Sequence, residues 1–200
     1  MMFLIEDKFT SINLFNKINL LTEKQVRLIA KGFDWTAKNY PNAVLIGGTA
    51  LSHYLKNSRD LTPDIDFMID DIQTIGDMLD SDNINYRPLL SSNGSIGITV
   101  DQFNADYLDS DAFNRNLNKL ILSTYNLGIV GGYTIKIINP ELLTIMKLDL
   151  GRDKDIKDGF SLITSGILNR NAYLKYLGLL KSSLNDYDSI KSYSDMIFNL

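Results

Sequence analysis

Hydrophobic residues recur along the chain at two spacings, which together predict helices alternating with short strands. The first helical stretch carries an apolar face that is expected to be buried. This face consists of Val26, Ile29, Ala30, Phe33 and Ala37. Thr22 followed by Gln25 has the spacing of a capping box, so the helix is predicted to start there. Pro41 and Asn42 end it and lead into a strand.

The stretch from Val44 to Phe67 organises the rest of the chain. It reads V-L-I-G-G-T-A-L-S-H-Y-L-K-N-S-R-D-L-T-P-D-I-D-F. The first three residues predict a short buried strand, Gly47 and Gly48 a turn, and residues 49–56 a helix. A second strand is expected to begin at Pro63.

That second strand carries two carboxylates, Asp64 and Asp66, which stand two residues apart. Residues at this spacing in a strand point the same way, while Ile65 and Phe67 face the other side. Two adjacent carboxylates repel each other, and a divalent cation relieves the repulsion. Because Mg²⁺ binds oxygen ligands and is commonly held by one or two carboxylates plus substrate phosphates, we predict a site for Mg²⁺, or for Mn²⁺ in its place.

The Gly47-Gly48-Thr49 turn supplies a second kind of site next to the first. Glycine allows close approach to the backbone, and the amides at a helix N-terminus favour an anion such as phosphate. A metal site beside a phosphate site is the arrangement that phosphoryl or nucleotidyl transfer requires.

Beyond these strands the alternation continues. Residues 96–108 are predicted as two strands or one bulged strand, and the glycine pair 131–132 as a hairpin turn. Asn139 is a natural N-cap, Pro140 suits the first helical position, and Gly151 ends the helix that they open.

The composition limits the side chains that could bind a metal or form disulfides. The chain has 200 residues, a net charge of −4 and no cysteine, so thiolate sites and disulfides are excluded. His53 is the single histidine, which leaves oxygen ligands as the main donors for any metal. We interpret His53 as a surface residue. The N-terminus lacks the features of a signal peptide and no apolar run is long enough to span a membrane, so a cytoplasmic protein is expected.

The motifs G-G-T-A-L and R-x-x-T-x-D-I-D-F resemble those of the nucleotidyltransferase superfamily that shares the DNA polymerase beta catalytic fold, and most of all its AbiEii-like toxin branch. No role is carried over to Arg59. The segment P-E-x-L-x-x-x-K-L followed by R-x-K-D-x-x-D is similar to the second signature of that branch. The resemblance implies that Lys147 holds a triphosphate and that Asp155 or Asp158, one helical turn apart, belongs to the site. Arg152 and Lys154 are then further phosphate contacts; spacing alone would favour a surface position for Lys147.

The resemblance also implies a third metal-binding carboxylate on a neighbouring strand. Asp101 and Asp106 are the two candidates, and only one can join the pair because residues five apart face opposite sides of a strand. F-N-A-D-Y-L-D resembles the family setting better, so Asp106 is favoured. The alternative is a site with two carboxylates only.

We therefore expect an α/β fold: residues 1–138 form a nucleotidyltransferase core with a small mixed sheet, and 139–200 a helical region that contributes to the NTP site. Residues 1–21 are expected to pack on the core as a short helix or strand. The C-terminal leucines and tyrosines are expected to pack a helical bundle, with base stacking as the alternative.

The predicted reaction moves NMP from an NTP to an acceptor hydroxyl. RNA or tRNA ranks first as acceptor, as for a toxin with a cognate antitoxin, followed by an aminoglycoside-like small molecule and then a protein. A non-catalytic binding protein that kept the fold is the rival. Basic residues on the first helix favour a solvated face over a polynucleotide rim: Lys24, Arg27, Lys31 and Lys38.

Overall fold

The computed structural model of the chain describes residues 21–55, 62–91, 94–111, 114–130 and 133–198. Predictions made for residues 1–20, for Arg59 and for the glycine pair 131–132 lie outside these ranges.

The described strands form one mixed sheet in the order β3-β4-β5-β2-β1-β7-β6. β1 pairs with β7 and β2 with β5 in parallel, and the other neighbours are antiparallel. The bounds are β1 Val44–Ile46, β2 Ile65–Ile69, β3 Arg87–Ser91, β4 Gly94–Val100, β5 Ala105–Asp109, β6 Tyr125–Val130 and β7 Tyr133–Ile138.

Helices flank this sheet, so the chain has the α/β fold that the sequence predicts. Their bounds are α1 Glu23–Asn39, α2 Gly47–Tyr54, α3 Ile72–Ser81, α4 Arg115–Ser123, α5 Pro140–Leu150, α6 Asp153–Thr164, α7 Arg170–Leu180 and α8 Tyr187–Phe198. No helix within the described ranges is both long and apolar enough to cross a membrane.

Local capping chemistry sets several of these bounds. The predicted capping box is confirmed: the Thr22 side chain accepts from the Gln25 amide, and the Gln25 side chain accepts from the Thr22 amide. Asn139 caps α5 by accepting from the Leu142 amide at 2.9 Å. Gly151, with φ of +66°, ends α5 in the left-handed conformation that glycine adopts without strain.

Helix α1 covers the sheet face that carries Phe67 and Tyr107. The Phe33 ring packs edge-on against Phe67 with centroids 5.9 Å apart. The hydroxyls of Thr36 and Tyr107 share a hydrogen bond of 2.6 Å. Because strand side chains alternate between faces, Asp66 and Asp106 lie on the opposite face from α1. The basic residues of α1 are exposed, but their helix is packed on the face away from these carboxylates.

The carboxylate face lies beneath α4 and α5. Helix α5 also contacts α2, α6, α7 and α8, so the C-terminal helices share one hydrophobic core with the sheet. Leu177 and Leu180 are buried in it, and the buried Tyr173 hydroxyl bonds Ser194 at 2.7 Å. The interpretation of the C-terminal leucine stripe as helix packing is therefore confirmed.

Candidate active site

Asp66 and Asp106 are direct neighbours across two parallel strands. They are register partners in the β2–β5 pair, and paired residues project from the same face. Asp64 lies just before β2 and is exposed, while Asp66 is half-buried. The structure thus places Asp106, and not Asp101, beside Asp66. Asp101 lies in the turn after β4 and pairs with Arg87 at 3.2 Å.

Gly47 lies directly after β1 and against the Asp66 carboxylate. A Cβ atom on Gly47 would lie 1.9 Å from Oδ2 of Asp66, and the Gly47 φ is +68°. Both constraints select glycine, the first by steric exclusion and the second by backbone conformation. The carboxylate and the glycine backbone are therefore in immediate contact.

Helix α2 begins at Gly47, two residues earlier than predicted, and its N-terminus has no side-chain cap. Such an end presents unpaired N–H groups and a partial positive charge. The buried Thr49 hydroxyl is used otherwise: it donates to the Asp64 carbonyl oxygen at 2.8 Å. Thr49 consequently anchors the acidic strand to α2, and its side chain does not line the cleft described below.

The electrostatics of this corner show an excess of negative charge. Burial first, and then the neighbouring carboxylates Asp64 and Asp106, raise the pKa of Asp66 to about 7. Lys147 and Lys154 act in the opposite direction but do not cancel these effects. A cation bound here would relieve the repulsion.

Lys147 is buried, in contrast to the surface position that its spacing alone favoured. Its Nζ lies 2.6 Å from Oδ1 of Asp155 and 3.3 Å from Oδ2 of Asp158. Arg152 pairs with the other oxygen of Asp155. Burial acts to raise the pKa of Asp155, but the hydrogen bonds from Lys147 and Arg152 outweigh it, and the net pKa is lowered. Asp155 and Asp158 therefore hold the lysine.

These elements enclose a cleft of about 400 Å³ on the carboxylate face. It brings together most of the residues predicted from sequence: Gly47, Gly48, Asp64, Asp66, Asp106, Lys147, Arg152 and Lys154. Thr49, Asp155 and Asp158 lie behind its wall. His53 is not among the lining residues; it is half-buried, with its ring against Tyr54.

Sequence reasoning missed the opposite wall of the cleft, which α4 and the far end of α5 provide. Its lining residues are Asn114, Leu117, Asn118, Met146, Asp149 and Leu150. The amphipathic spacing of α4 could have indicated a buried face, but nothing local showed that this face meets the carboxylates.

The carboxylate oxygens of the cleft are donors of the type that a hard divalent cation prefers. Within the described ranges, however, no three carboxylate or imidazole side chains converge as a ready-made metal cage. The Asp66 carboxylate faces Gly47, and Asp106 accepts from Thr99 Oγ1 at 2.7 Å on the other side. A partial shell of this type suits Mg²⁺, which keeps water and substrate phosphate among its ligands.

No protein-family model and no curated protein sequence matches the chain. Among solved structures, the fold is similar to that of an antigenic nucleotidyltransferase-like protein from Paracoccidioides brasiliensis. The two share 16% sequence identity over 84% of this chain and 92% of the other, with a TM-score of 0.47. A likeness this loose does not assign a reaction, and the roles proposed below rest on the residues of the cleft.

Proposed function

We propose that the chain is a metal-dependent nucleotidyltransferase that moves NMP from an NTP to an acceptor hydroxyl. The observation that supports this most is the contact between a register-paired carboxylate, Asp66, and the open N-terminus of α2 at Gly47. Metal-binding oxygens and phosphate-binding amides thereby meet at a single corner of the cleft.

In this proposal Asp64, Asp66 and Asp106 hold Mg²⁺ or Mn²⁺. When bound, such an ion lowers the pKa of an attacking hydroxyl and neutralises phosphate charge. The protein's own part is to fix Asp66 and Asp106 on paired strands, to hold the Asp64 backbone through Thr49 and to hold the Asp106 carboxylate through Thr99.

The triphosphate is assigned to the positive side of the cleft. Gly47 and Gly48 at the start of α2 and Lys147 on α5 all line this side of the cleft. Arg152 and Lys154 stand at the start of α6, whose N-terminus also lacks a side-chain cap. Asp155 and Asp158 orient Lys147 so that its charge remains at the cleft. Fixed charges of this type stabilise the charge that develops during transfer.

The acceptor is proposed to be RNA, tRNA in particular, in the manner of the AbiEii-like toxins that the motifs resemble, with a cognate antitoxin as a partner. The basic residues of α1 do not support this choice directly, since α1 packs on the other face of the sheet. A small molecule and then a protein remain the next acceptors in rank.

The test is to incubate the purified protein with each NTP labelled at the α-phosphate, Mg²⁺, and cellular RNA, cellular protein or aminoglycosides. Label in RNA is the expected result. Label only in protein or only in antibiotic would show that the acceptor is not RNA. Absence of transfer, together with absence of MgATP and MgCTP binding in calorimetry, would favour a non-catalytic binding protein that kept the fold.

A further inference from the structure

The wall of the cleft formed by α5 changes from basic to apolar to acidic around the helix. At about 100° per residue, Met146 and Leu150 lie at the centre of the cleft-facing arc, with Lys147 on one flank and Asp149 on the other. All four residues line the cleft. A ligand that crosses this arc passes from a cation, over an apolar surface, to a carboxylate.

The carboxylate end is held in place by the loop between α7 and α8. The Asn185 amide donates to Asp149 Oδ1 at 2.7 Å, and the Asn185 side chain donates to the Asp149 carbonyl at 3.3 Å. The same loop accepts from Asn114, whose Nδ2 lies 2.8 Å from the Ser183 carbonyl. Asn114 and Asp149 therefore stand at one end of the cleft, attached to a common support.

We infer that the Asp149 carboxylate accepts a hydrogen bond from the nucleobase of the bound nucleotide and so selects bases that carry an exocyclic amino group. This inference rests on the proposed function, which assigns the triphosphate to the Lys147 side. The base then lies over Met146, Leu150 and Leu117, which supply the apolar contact that a flat ring requires.

The hydrogen-bonding chemistry of a carboxylate explains the preference for amino-bearing bases over uracil. An ionised carboxylate only accepts hydrogen bonds. Adenine, cytosine and guanine offer an amino group, whereas uracil places its single N–H between two carbonyl oxygens that a carboxylate repels. A site whose polar group stays unpaired with the wrong ligand discriminates against that ligand.

Asp149→Asn is the decisive variant because it keeps a side-chain oxygen for the Asn185 amide while adding a donor. The measurement is equilibrium binding of MgATP, MgGTP, MgCTP and MgUTP to the full chain. We expect at least one of the first three to bind about tenfold or more tightly than MgUTP in the wild type, and this ratio to fall to about threefold or less in the variant. Asp188→Asn, an exposed carboxylate on α8, serves as the matched control and should keep the wild-type ratio.

The possible outcomes separate this inference from the function beneath it. Equal binding of all four triphosphates, or an unchanged ratio in Asp149→Asn, overturns the role of Asp149 and leaves nucleotide binding standing. Failure of the wild type to bind any of the four contradicts the proposed function and the inference together.

Discussion

Lys147 Nζ lies 2.6 Å from Asp155 Oδ1 in the buried wall of the cleft, although the two residues belong to different helices. The contact joins α5 to α6 and neutralises charges that would otherwise be costly to bury. The contact also fixes the Lys147 ammonium within electrostatic range of Asp66. There the ammonium partly offsets the rise in the Asp66 pKa. One ion pair thus contributes both to the fold and to the charge balance of the site.

Replacing Lys147 by methionine should therefore be strongly destabilising. It leaves the buried carboxylates of Asp155 and Asp158 without their shared cation, a change that costs about 3 kcal/mol or more of the free energy of unfolding. Urea unfolding measures it. The double variant Lys147→Met/Asp155→Asn should recover part of the loss; a double variant as unstable as the sum of the two single ones would show that the pair is not coupled.

Asp155 also predicts a dependence of stability on pH. Its pKa is lowered in the folded state, so its contribution is fully present above the unfolded value of about 4 and is lost as the pH falls from there through the folded pKa. The gap in stability between wild type and Asp155→Asn should accordingly shrink below about pH 4. Thermal unfolding scans of both proteins between neutral and acidic pH measure this gap. A gap that stays constant would contradict the assignment.

Asp66 is predicted to lower the stability of the metal-free protein and to strengthen binding of MgNTP. Burial and two neighbouring carboxylates oppose its charge at neutral pH, so Asp66→Asn should raise the free energy of unfolding of the metal-free protein by ~1–2 kcal/mol. The same change should weaken binding of MgNTP. Asp101→Asn, which removes an exposed ion pair, should change stability by ~0.5 kcal/mol or less. An Asp66→Asn protein that is less stable than wild type would show that the carboxylate is not under electrostatic strain.

Gly47 is predicted to tolerate no side chain. Gly47→Ala meets both the positive φ and the Asp66 carboxylate, so a loss of ~2 kcal/mol or more is expected, together with lost nucleotide binding. Gly178→Ala is the control, because it lies in helix α7 with nothing within 4 Å of the added Cβ. That change should stabilise the protein by ~0.5–1 kcal/mol. Denaturant midpoints compare the two, and equal effects would refute the steric account.

Local chemistry explains what could be predicted from the sequence. The capping box at Thr22 and the caps of α5 depend on residues within a few positions of one another, so pattern was enough to place them. The adjacency of Asp66 and Asp106 follows from two parallel strands with aligned register, which the spacing of acids suggested without fixing. The F-N-A-D-Y-L-D motif favours Asp106 over Asp101, and in the sheet Asp106 is the register partner of Asp66.

Long-range packing explains the rest. Lys147 follows apolar residues on α5, which packs against several other helices. Its partners, Asp155 and Asp158, lie on the next helix. Spacing within α5 contains no information about them. Asp149 is held at the cleft by Asn185, which lies 36 residues later in the chain and which no local pattern relates to α5. The requirement for glycine at position 47 likewise comes from Asp66, which lies on β2.

The most direct test of the central claim is turnover of NTP by the protein with Asp64 and Asp66 both changed to alanine. Release of pyrophosphate in the presence of Mg²⁺ and the acceptor is measured beside the wild type, with circular dichroism to verify that both proteins are folded. We predict that the folded double variant loses activity by about a hundredfold or more. Undiminished release of pyrophosphate by that variant would contradict a carboxylate-held cation at the glycine corner.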